Sequence, residues 1–468
     1  MGVKTPWSDD GVSINVGGEY RKESLTLNPD SLFQAGDLTG QGAPTLPVDG
    51  NFNVKELFAE IQFPIAHDSF VYDLSINAGY RKSWYQTHAP NIVDADRKYN
   101  TDTYKFGLEF APIRDIRFRA AYNRAARAPN IQELFAPQFV GLDGSTDPCA
   151  GHQITAAELG CIAQGLSVGA STPTNPAEQY NGLLGGNPQL NPEKATTTTF
   201  GVVLQPRFIP NFALTVDYWR IKLNGAIQGF GADTILSDCV TNTTDVANPA
   251  ASCALIHRNP AGSIWLSPDG FVEDTPTNVG GIKTNGIDAN ASYSNQLGGL
   301  GRLSVSFIGT YLRKYITDNG LADPYDCAGY FGSVCSGNTV SSSAPMPKWR
   351  HKARATLAMQ NGIGVSLQWR MVGKVQHEHN SNDDALAGAI PQLGGKIKAQ
   401  QYFDLAATYT FARHYNFRVG VNNIFDNDPP LVTSSAASCP AGPCNGNTYP
   451  GTWDSLGRFI YAGVTFDF

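Results

Sequence analysis

The sequence ends in GRFIYAGVTFDF (457–468), a segment in which every second residue is apolar. Alternation with a period of two is typical of a β-strand that has one apolar face. Chain ends usually fray in polar sequence, so an apolar face that continues to the last residue needs a cover, either a protein core or lipid. The apolar residues of this segment are Ile460, Ala462, Val464, Phe466 and Phe468.

The same alternation recurs throughout the chain. It is clear in YKFGLEF (104–110), FALTVDY (212–218), VSLQWRM (365–371), YFDLAATYTF (402–411) and YNFRVGVNN (415–423). About fourteen strands are predicted in this way. The connections between them alternate, with few exceptions, between tight turns and long segments rich in Gly, Pro, Ser, Thr and Asn. Short periplasmic turns and long outer loops are typical of outer-membrane barrels, so the predicted fold class is an all-β, antiparallel transmembrane β-barrel.

Composition excludes several other classes of protein. Charged residues make up 16% of the 468 residues, against about 25% in average soluble proteins, so the surface lacks the usual charge. The net charge is −7 and no run of Lys or Arg is present, so the sequence indicates no basic surface for binding nucleic acid. No apolar stretch approaches the roughly 18 residues of a membrane helix, and the first twenty residues do not resemble a signal peptide.

Aromatic residues near the predicted strand ends fit the interfacial girdles of a membrane barrel. The alternative is that aromatic residues are simply common in strands. The residues in question are Trp84, Tyr85, Trp219, Trp349, Trp369, Tyr402, Phe466 and Phe468.

All eight cysteines lie in the long segments between predicted strands. Eight cysteines allow 105 pairings, but pairing sequence neighbours gives each of four loops its own disulfide and implies an oxidising compartment. A metal site is the alternative, although the spacings are unequal and no CxxC is present. The predicted pairs are Cys149 with Cys161, Cys239 with Cys253, Cys327 with Cys335, and Cys439 with Cys444.

No catalytic constellation is present, so the chain is not predicted to be an enzyme and needs no cofactor. The nearest candidate is HEHNSNDD (377–384), where His377 and His379 would share one face of a strand and could bind a metal. A solvated polar loop is the favoured interpretation, and no metal site is predicted. HExxH, GxSxG and phosphate-binding glycine loops are all missing from the sequence.

Cations on the polar sides of the predicted strands would line the barrel lumen. Arginine is suited to binding carboxylate, sulfate or phosphate. The favoured alternative is that these cations pair with lumen acids such as Glu60, Glu109, Asp217 and Asp404, or with a plug domain. The predicted lumen cations are Arg117, Arg119, Arg350, Lys352, Arg354, Arg370 and Arg418.

Three stretches resemble TonB-dependent outer-membrane receptors. FRAAYNRAARAPNIQELFAPQ (118–138) resembles a strand of that family with its following Arg-Ala-Pro and Glu-Leu-Phe motifs, and GGNPQLNPEKATTTTFGVVLQP (185–206) is similar to the start of the next strand. FRVGVNNIFDNDPP (417–430) and the final strand look like the closing pair. The resemblance covers essentially the whole chain. Arg127, Ala128 and Pro129 match a family motif but are assigned a structural role.

The resemblance implies a barrel of about 22 strands with an N-terminal plug domain and a TonB box that engages TonB. This sequence departs from that pattern, with no plug, no TonB box and no signal peptide. It is therefore expected to be the C-terminal portion of such a receptor, with residues 1–468 forming one barrel domain. Any contact with TonB would run through the missing plug. A terminal Phe468 would be read by the barrel-assembly machinery.

The predicted function is TonB-dependent uptake of a scarce nutrient, such as an iron–siderophore complex or an oligosaccharide, across the outer membrane of a Gram-negative bacterium. The expected partners are outer-membrane lipid, the assembly machinery and the nutrient. Two alternatives stay open, namely a passive fourteen-stranded channel and a soluble or surface β-rich binding protein with disulfide-linked loops. Loop aromatics are predicted, from composition, to contact the ligand: Trp265, Tyr325, Tyr330, Phe331 and Trp453.

Overall fold

The computed structural model describes residues 3–39, 43–321, 323–335, 344–390, 394–412, 414–433, 436 and 446–466. Its elements begin with β1 (Ser13–Leu27), α1 (Ser31–Ala35), β2 (Val48–His67), β3 (Asp73–His88), β4 (Lys98–Ile113), β5 (Ile116–Arg127), α2 (Ile131–Phe135), β6 (Phe139–Gly144), α3 (Leu159–Ala163), β7 (Tyr180–Leu184), β8 (Glu193–Leu204), β9 (Phe212–Asn224), β10 (Ile227–Gln228), α4 (Ala232–Asn242) and β11 (Ile256–His257). They continue with β12 (Phe271–Glu273), β13 (Thr277–Asn278), β14 (Gly281–Gln296), β15 (Arg302–Asp318), β16 (Tyr325–Asp326), β17 (Tyr330–Phe331), β18 (Trp349–Ala358), β19 (Ile363–Val372), β20 (Val375–His377), β21 (Lys396–Ile397), β22 (Gln400–Phe411), β23 (Tyr415–Asn422) and β24 (Phe459–Phe466). Three short 3₁₀ helices span Ala251–Leu255, Gly298–Leu300 and Glu378–Asn380.

Fourteen long strands form one antiparallel sheet in the order β1-β2-β3-β4-β5-β8-β9-β14-β15-β18-β19-β22-β23-β24. Each strand pairs with the next long strand in the sequence, so the sheet is a continuous meander. The predicted fold class and the count of about fourteen strands are confirmed. In the described residues β1 and β24 are the edge strands, and the sheet is open between them. None of the described helices is long and apolar enough to cross a membrane.

Connections at the two ends of this sheet differ in length. One end, which we call the inner end, carries short turns such as 114–115, 297–301 and 359–362. The opposite, outer end carries long segments, of which 128–192 and 225–280 are the longest. The remaining short strands and all four α-helices lie in the outer segments. This one-sided distribution of long loops is the one predicted for an outer-membrane barrel.

Strand register separates the sheet into an apolar and a polar face. Residues that face each other across an antiparallel pair lie on the same face, and Phe200 faces Tyr218 while Leu367 faces Leu405. The apolar side chains are solvent-accessible in the isolated chain: Phe200 is 57% exposed and Ile460 is 67% exposed. A continuous exposed apolar face on a meander of this length is typical of a lipid-facing barrel wall.

The predicted girdle residues divide between the two faces. The register places Trp84, Trp349, Trp369 and Phe466 on the apolar face. The same register places Tyr85, Trp219 and Tyr402 on the polar face, so their assignment to a lipid-facing girdle is wrong. A shift of one residue moves a side chain to the other face of a sheet. Phe468 lies outside the described residues.

Two of the three stretches that carry the family resemblance, 118–138 and 185–206, meet at the outer end of the sheet. Arg127, the last residue of β5, donates hydrogen bonds to Glu133 at 2.9 and 3.0 Å and to Glu193 at 2.6 Å. Asn130 and Glu133 form a capping box at the start of α2. The ring of Phe135 lies against the backbone of β2 at Gly50, where a Cβ would overlap it. The long loop after β5 therefore folds over the polar face of the sheet.

Two packed clusters lie in the outer loops. One cluster forms around α4, where Ile235, Leu236, Ile264 and Val272 are fully buried. A second joins three different outer loops and includes Phe331, Val375, Val432 and Trp453. The loops therefore form a folded layer above the polar face.

Candidate ligand-binding site

Most cations on the polar face are neutralised by acids on neighbouring strands. Arg117 pairs with Glu109 at 2.6 Å and with Asp73 at 3.2 Å. Arg370 pairs with Asp404 and, from the last outer loop, with Asp454, both at 2.8 Å. These contacts agree with the alternative interpretation in which the lumen cations pair with lumen acids. Arg370 also lies over the ring of Tyr402, with 5.1 Å between the guanidinium carbon and the ring centroid.

Two ion pairs on the polar face cross an intervening strand at a glycine. Arg119 on β5 and Asp217 on β9 bond at 2.8 and 2.5 Å over Gly201 of β8. Lys105 on β4 reaches Glu60 on β2 at 3.1 Å over Gly79 of β3. A side chain on either glycine would occupy the space of the ion pair. The glycines thus allow charges two strands apart to interact.

Strand β18 carries cations that lack such acidic partners. Arg350, Lys352 and Arg354 alternate along its polar face, opposite Thr310, Ile308 and Ser306 of β15. Among the described residues, none of the three forms an ion pair with a carboxylate; Arg354 donates instead to Gln368 at 2.7 Å. Arg418 on β23 also lacks an acidic partner in the described part of the chain and lies against Gly463.

Arg350 lines a cavity of about 410 Å³ that lies beneath the outer loops. The sheet contributes Trp219, Thr284, Thr310 and Arg350 to its walls. Segments 344–347 and 451–452 form its outer boundary. We call this space the Trp219–Arg350 cavity. It combines apolar walls with a few convergent polar groups, which is typical of small-molecule sites.

Two of the side chains that line this cavity, Trp219 and Arg350, carry hydrogen-bond donors. Trp219 Nε1 is buried and has no hydrogen-bond partner in the described residues. The guanidinium of Arg350 offers a planar set of donors without a described acid to neutralise it. A buried donor without a partner costs free energy, which a ligand oxygen would recover. The cavity is therefore suited to an oxygen-rich, anionic molecule.

Comparison with known proteins agrees with this architecture. The sequence profile described as "TonB dependent receptor-like, beta-barrel" matches residues 4–424. The chain belongs to the TonB-dependent receptor β-barrel family. The predicted family is thereby confirmed. No curated protein matches the chain.

Several solved TonB-dependent receptors are similar in fold to this family member. The ferric enterobactin receptor PfeA of Pseudomonas aeruginosa has 14% identity and a TM-score of 0.58, covering 98% of this chain and 52% of that one. The FrpB iron transporter of Neisseria meningitidis has 15% identity and a TM-score of 0.53, with coverage of 98% and 52%. The copper transporter OprC has 15% identity and a TM-score of 0.53, with coverage of 99% and 55%. The chain thus spans about half the length of these solved relatives.

The outer loops contain three of the predicted disulfides. Cys149 is bonded to Cys161, Cys239 to Cys253, and Cys327 to Cys335. Each bond closes a short segment within one loop, and the alternative of a metal site at these cysteines is wrong. The predicted pair of Cys439 and Cys444 lies outside the described residues.

The predicted ligand-contacting aromatics lie mostly inside the loop layer. Phe331 and Trp453 are fully buried in the second loop cluster, and Tyr325 is buried beside the Cys327–Cys335 disulfide. Tyr330 is half-buried in the same cluster as Tyr325. Trp265 donates from Nε1 to the Pro173 carbonyl at 3.0 Å. In this structure they stabilise the loop layer, and their contact with a ligand stays a prediction.

A buried ion pair joins the two largest loops. Arg258 binds Asp147 through two nitrogens at 2.8 Å, and both side chains are almost fully buried. Its remaining donors reach Gln164 at 2.6 and 2.9 Å and the Gly262 carbonyl at 2.8 Å. Every side of the guanidinium is therefore satisfied, as a buried charge requires.

Two carboxyl groups also meet between these loops. Asp274 accepts from the backbone N–H groups of Phe230 and Gly231 at 2.7 and 3.0 Å. Burial, followed by the charge of Asp274, raises the pKa of Asp143 to about 7. Oδ2 of Asp143 is buried and has no hydrogen-bond donor beside it among the described residues, as suits a neutral carboxyl. Burial also raises the pKa of Asp274.

The HEHNSNDD segment does not form the solvated loop favoured by its sequence. Glu378 is fully buried and accepts from the backbone N–H groups of Val334 and Cys335 at 3.1 and 2.7 Å. That prediction is therefore wrong for Glu378, because the carboxylate caps a neighbouring loop. Burial raises its pKa. Within the described residues, no group of three or more potential metal ligands comes together.

Trp219 is the site residue that sequence analysis misplaced. The alternation in FALTVDYWR (212–220) puts Tyr218 on the apolar face, so Trp219 must point to the polar side. The face of the strand on which Trp219 lies could therefore have been predicted from the sequence. The contact between Asp143 and Asp274 has no such signal, because the two residues lie 131 positions apart in different outer segments.

Proposed function

We propose that this chain is the barrel wall and loop layer of an outer-membrane receptor for TonB-dependent uptake of a scarce small nutrient. Residues 1–468 would form one barrel domain, with the apolar face in the lipid and the loop layer outside the cell. TonB would act through a plug domain, and the barrel-assembly machinery would recognise the final strand with Phe468. Family membership and the one-sided loop layer support this proposal.

The observation that carries the ligand assignment is the Trp219–Arg350 cavity. An unneutralised guanidinium and an unpaired indole N–H both favour ligand oxygens that bear negative charge. Lys352 and Arg354 continue the positive charge along β18, below the cavity. We propose an oxygen-rich anionic complex, such as a ferric siderophore, as the ligand. The iron receptors among the solved relatives make this class reasonable to test first.

Binding to the detergent-solubilised native protein tests this assignment. Quenching of tryptophan fluorescence would be measured with a ferric catecholate siderophore, a ferric hydroxamate siderophore, a neutral oligosaccharide and Cu²⁺. Arg350→Gln is expected to weaken binding of the anionic complex at least tenfold, because a charge-assisted hydrogen bond is lost. The matched control is Arg207→Gln, which removes a guanidinium from the turn between β8 and β9 and should leave affinity unchanged. Equal affinity in the Arg350→Gln variant contradicts the site.

Cellular uptake tests the transport mechanism separately. Uptake of the bound complex should stop in cells that lack TonB, and purified protein should show no steady conductance in a planar bilayer. Uptake without TonB together with a large constant conductance would instead establish the passive channel. Failure to insert into lipid would favour the soluble β-rich binding protein.

A further inference from the structure

The outward, apolar face of the sheet carries a group of cations at its outer end. Strands β8, β9, β14 and β15 lie side by side there, and the register puts these cations on the same face as Phe200 and Tyr218. All of the side chains are exposed. We call this group the cation patch, and it consists of Lys194, Arg220, Lys222, Lys283 and Lys314.

The patch is not neutralised by the protein. Lys222 and Lys283 face each other directly across β9 and β14, an arrangement that is destabilising when no anion is present. None of the five cations forms an ion pair with a described carboxylate, and the outward positions of β8, β9 and β14 contain no Asp or Glu. The nearest outward acid in register is Asp318 on β15, which accepts from the Gly320 N–H at 3.0 Å.

Several cations elsewhere on the sheet do have acidic partners, whereas the patch groups five cations on one face without a described one. Lys82, on the outward face of β3, binds Asp102 at 2.9 Å. On the polar face, Lys105, Arg119 and Arg370 all have acidic partners. The unpaired charge of the patch therefore indicates an anion outside the protein.

The depth of the patch identifies that anion. Phe200, Tyr218 and Tyr311 form an exposed aromatic row on the same face. Arg220 and Lys222 follow Tyr218 by two and four residues, which at about 3.3 Å per residue places them roughly 7 and 13 Å beyond the row. Aromatic belts mark the boundary between hydrocarbon and headgroups. The patch thus lies at the level of lipid phosphates in the outer leaflet.

We propose that the cation patch binds phosphorylated lipid headgroups of the outer leaflet, with phosphate oxygens held between Lys222 and Lys283. The aromatic row supports the acyl chains below, and Arg220 and Lys314 flank the phosphate. The proposal rests on the outer-membrane location of the barrel but not on the identity of its imported ligand. Lipid binding and nutrient binding occupy opposite faces of the sheet, so either can fail without the other.

The test compares lipids on the detergent-solubilised native protein by native mass spectrometry and by titration with mixed micelles. The probes are lipid A, which carries phosphate monoesters, zwitterionic phosphatidylcholine, and inorganic phosphate. Lipid A is expected to bind at least tenfold more tightly than phosphatidylcholine, and 0.5 M salt should weaken this binding. Lys222→Gln with Lys283→Gln should reduce the affinity roughly twenty-five-fold, because each charge near an anionic surface contributes about fivefold.

Two further variants make the result specific. Lys222→Arg with Lys283→Arg keeps both charges and should retain lipid binding. Lys22→Gln with Lys55→Gln removes two exposed outward cations from β1 and β2 and should change affinity less than threefold. Equal losses in both Gln pairs would overturn the site, as would inorganic phosphate binding as tightly as lipid A, or no preference over phosphatidylcholine. Association of the patch with an acidic protein in place of lipid A would also overturn it.

Discussion

Arg119 and Asp217 form a bidentate ion pair although a whole strand lies between them. The pair crosses β8 at Gly201, where the absence of a side chain leaves room for both side chains to pass over the backbone. The polar face of this sheet is therefore organised by residue size as well as by charge. A small residue in one strand determines which charges on the two neighbouring strands can meet.

Gly201→Ala should break this interaction. The new Cβ would overlap Asp217 Oδ1, so the carboxylate must move away from Arg119. Forcing a side chain into occupied space typically costs about 1–3 kcal/mol. Thermal unfolding of the solubilised protein would measure the loss. The control is Gly299→Ala in the turn between β14 and β15, where a Cβ meets nothing within 4 Å; equal unfolding temperatures for the two variants would contradict the crossing.

Arg258→Ala should loosen the two largest outer loops. Removing one partner of a buried ion pair leaves the other charge uncompensated, at a cost of about 3–5 kcal/mol. Proteolysis of the folded protein should therefore cut segments 128–192 and 225–280 much faster than in the native chain. Arg207→Gln breaks a pair with Asp115 in which the arginine side chain is 73% exposed, so its effect should stay within about 1 kcal/mol. Unchanged cleavage of Arg258→Ala would show that the pair does not hold the loops.

The packing between these loops should depend on pH through Asp143. Its pKa is raised above that of an unfolded aspartate, so the folded loops bind the extra proton. The stabilisation is complete below about pH 4 and is lost as the pH rises through about 7. Hydrogen exchange at the amides of Phe230 and Gly231 should be slower at pH 5 than at pH 8, after correction for intrinsic rates.

Asp143→Asn should remove most of that pH dependence, because an amide stays neutral throughout. Asp245→Asn is the matched control in the same loop region, since hydrogen bonds from Asn248 and Ala247 lower the pKa of Asp245. That carboxylate stays ionised between pH 5 and 8, so the variant should keep the native pH profile. A flat profile in the native protein would exclude the Asp143–Asp274 contact as its source.

Glu378→Ala should destabilise the loop that contains the Cys327–Cys335 disulfide. The carboxylate accepts two backbone N–H groups and the Ser333 hydroxyl in a fully buried position. Unsatisfied buried donors cost about 1–3 kcal/mol each. Glu378→Gln retains an acceptor of the same shape and should be milder. Differential scanning calorimetry of both variants would test this order, and an Ala variant as stable as the Gln variant would contradict it.

Most of the sheet could be predicted from the sequence. The strands, the short turns and the polar side occupied by Arg350 follow from alternation, because a strand's side chains must point to opposite faces. Trp219 and Tyr402 were assigned to the wrong face of the sheet, because a difference of one residue along a strand reverses the face to which a side chain points. In the loops, the burial of Glu378 was not predicted, nor was the cluster in which Phe331 and Trp453 from different loops pack together. Irregular segments carry no period from which such contacts could be predicted.

The sequence by itself determined the meander, its two faces and the disulfides within single loops, because each depends on residues close together in the chain. Only the tertiary structure decided which charges meet across strands, how the outer loops pack together, and where the Trp219–Arg350 cavity and the cation patch form. Those features depend on strand register and on contacts between distant segments. Their free energies come from burial and charge pairing, which exist only after the chain has folded.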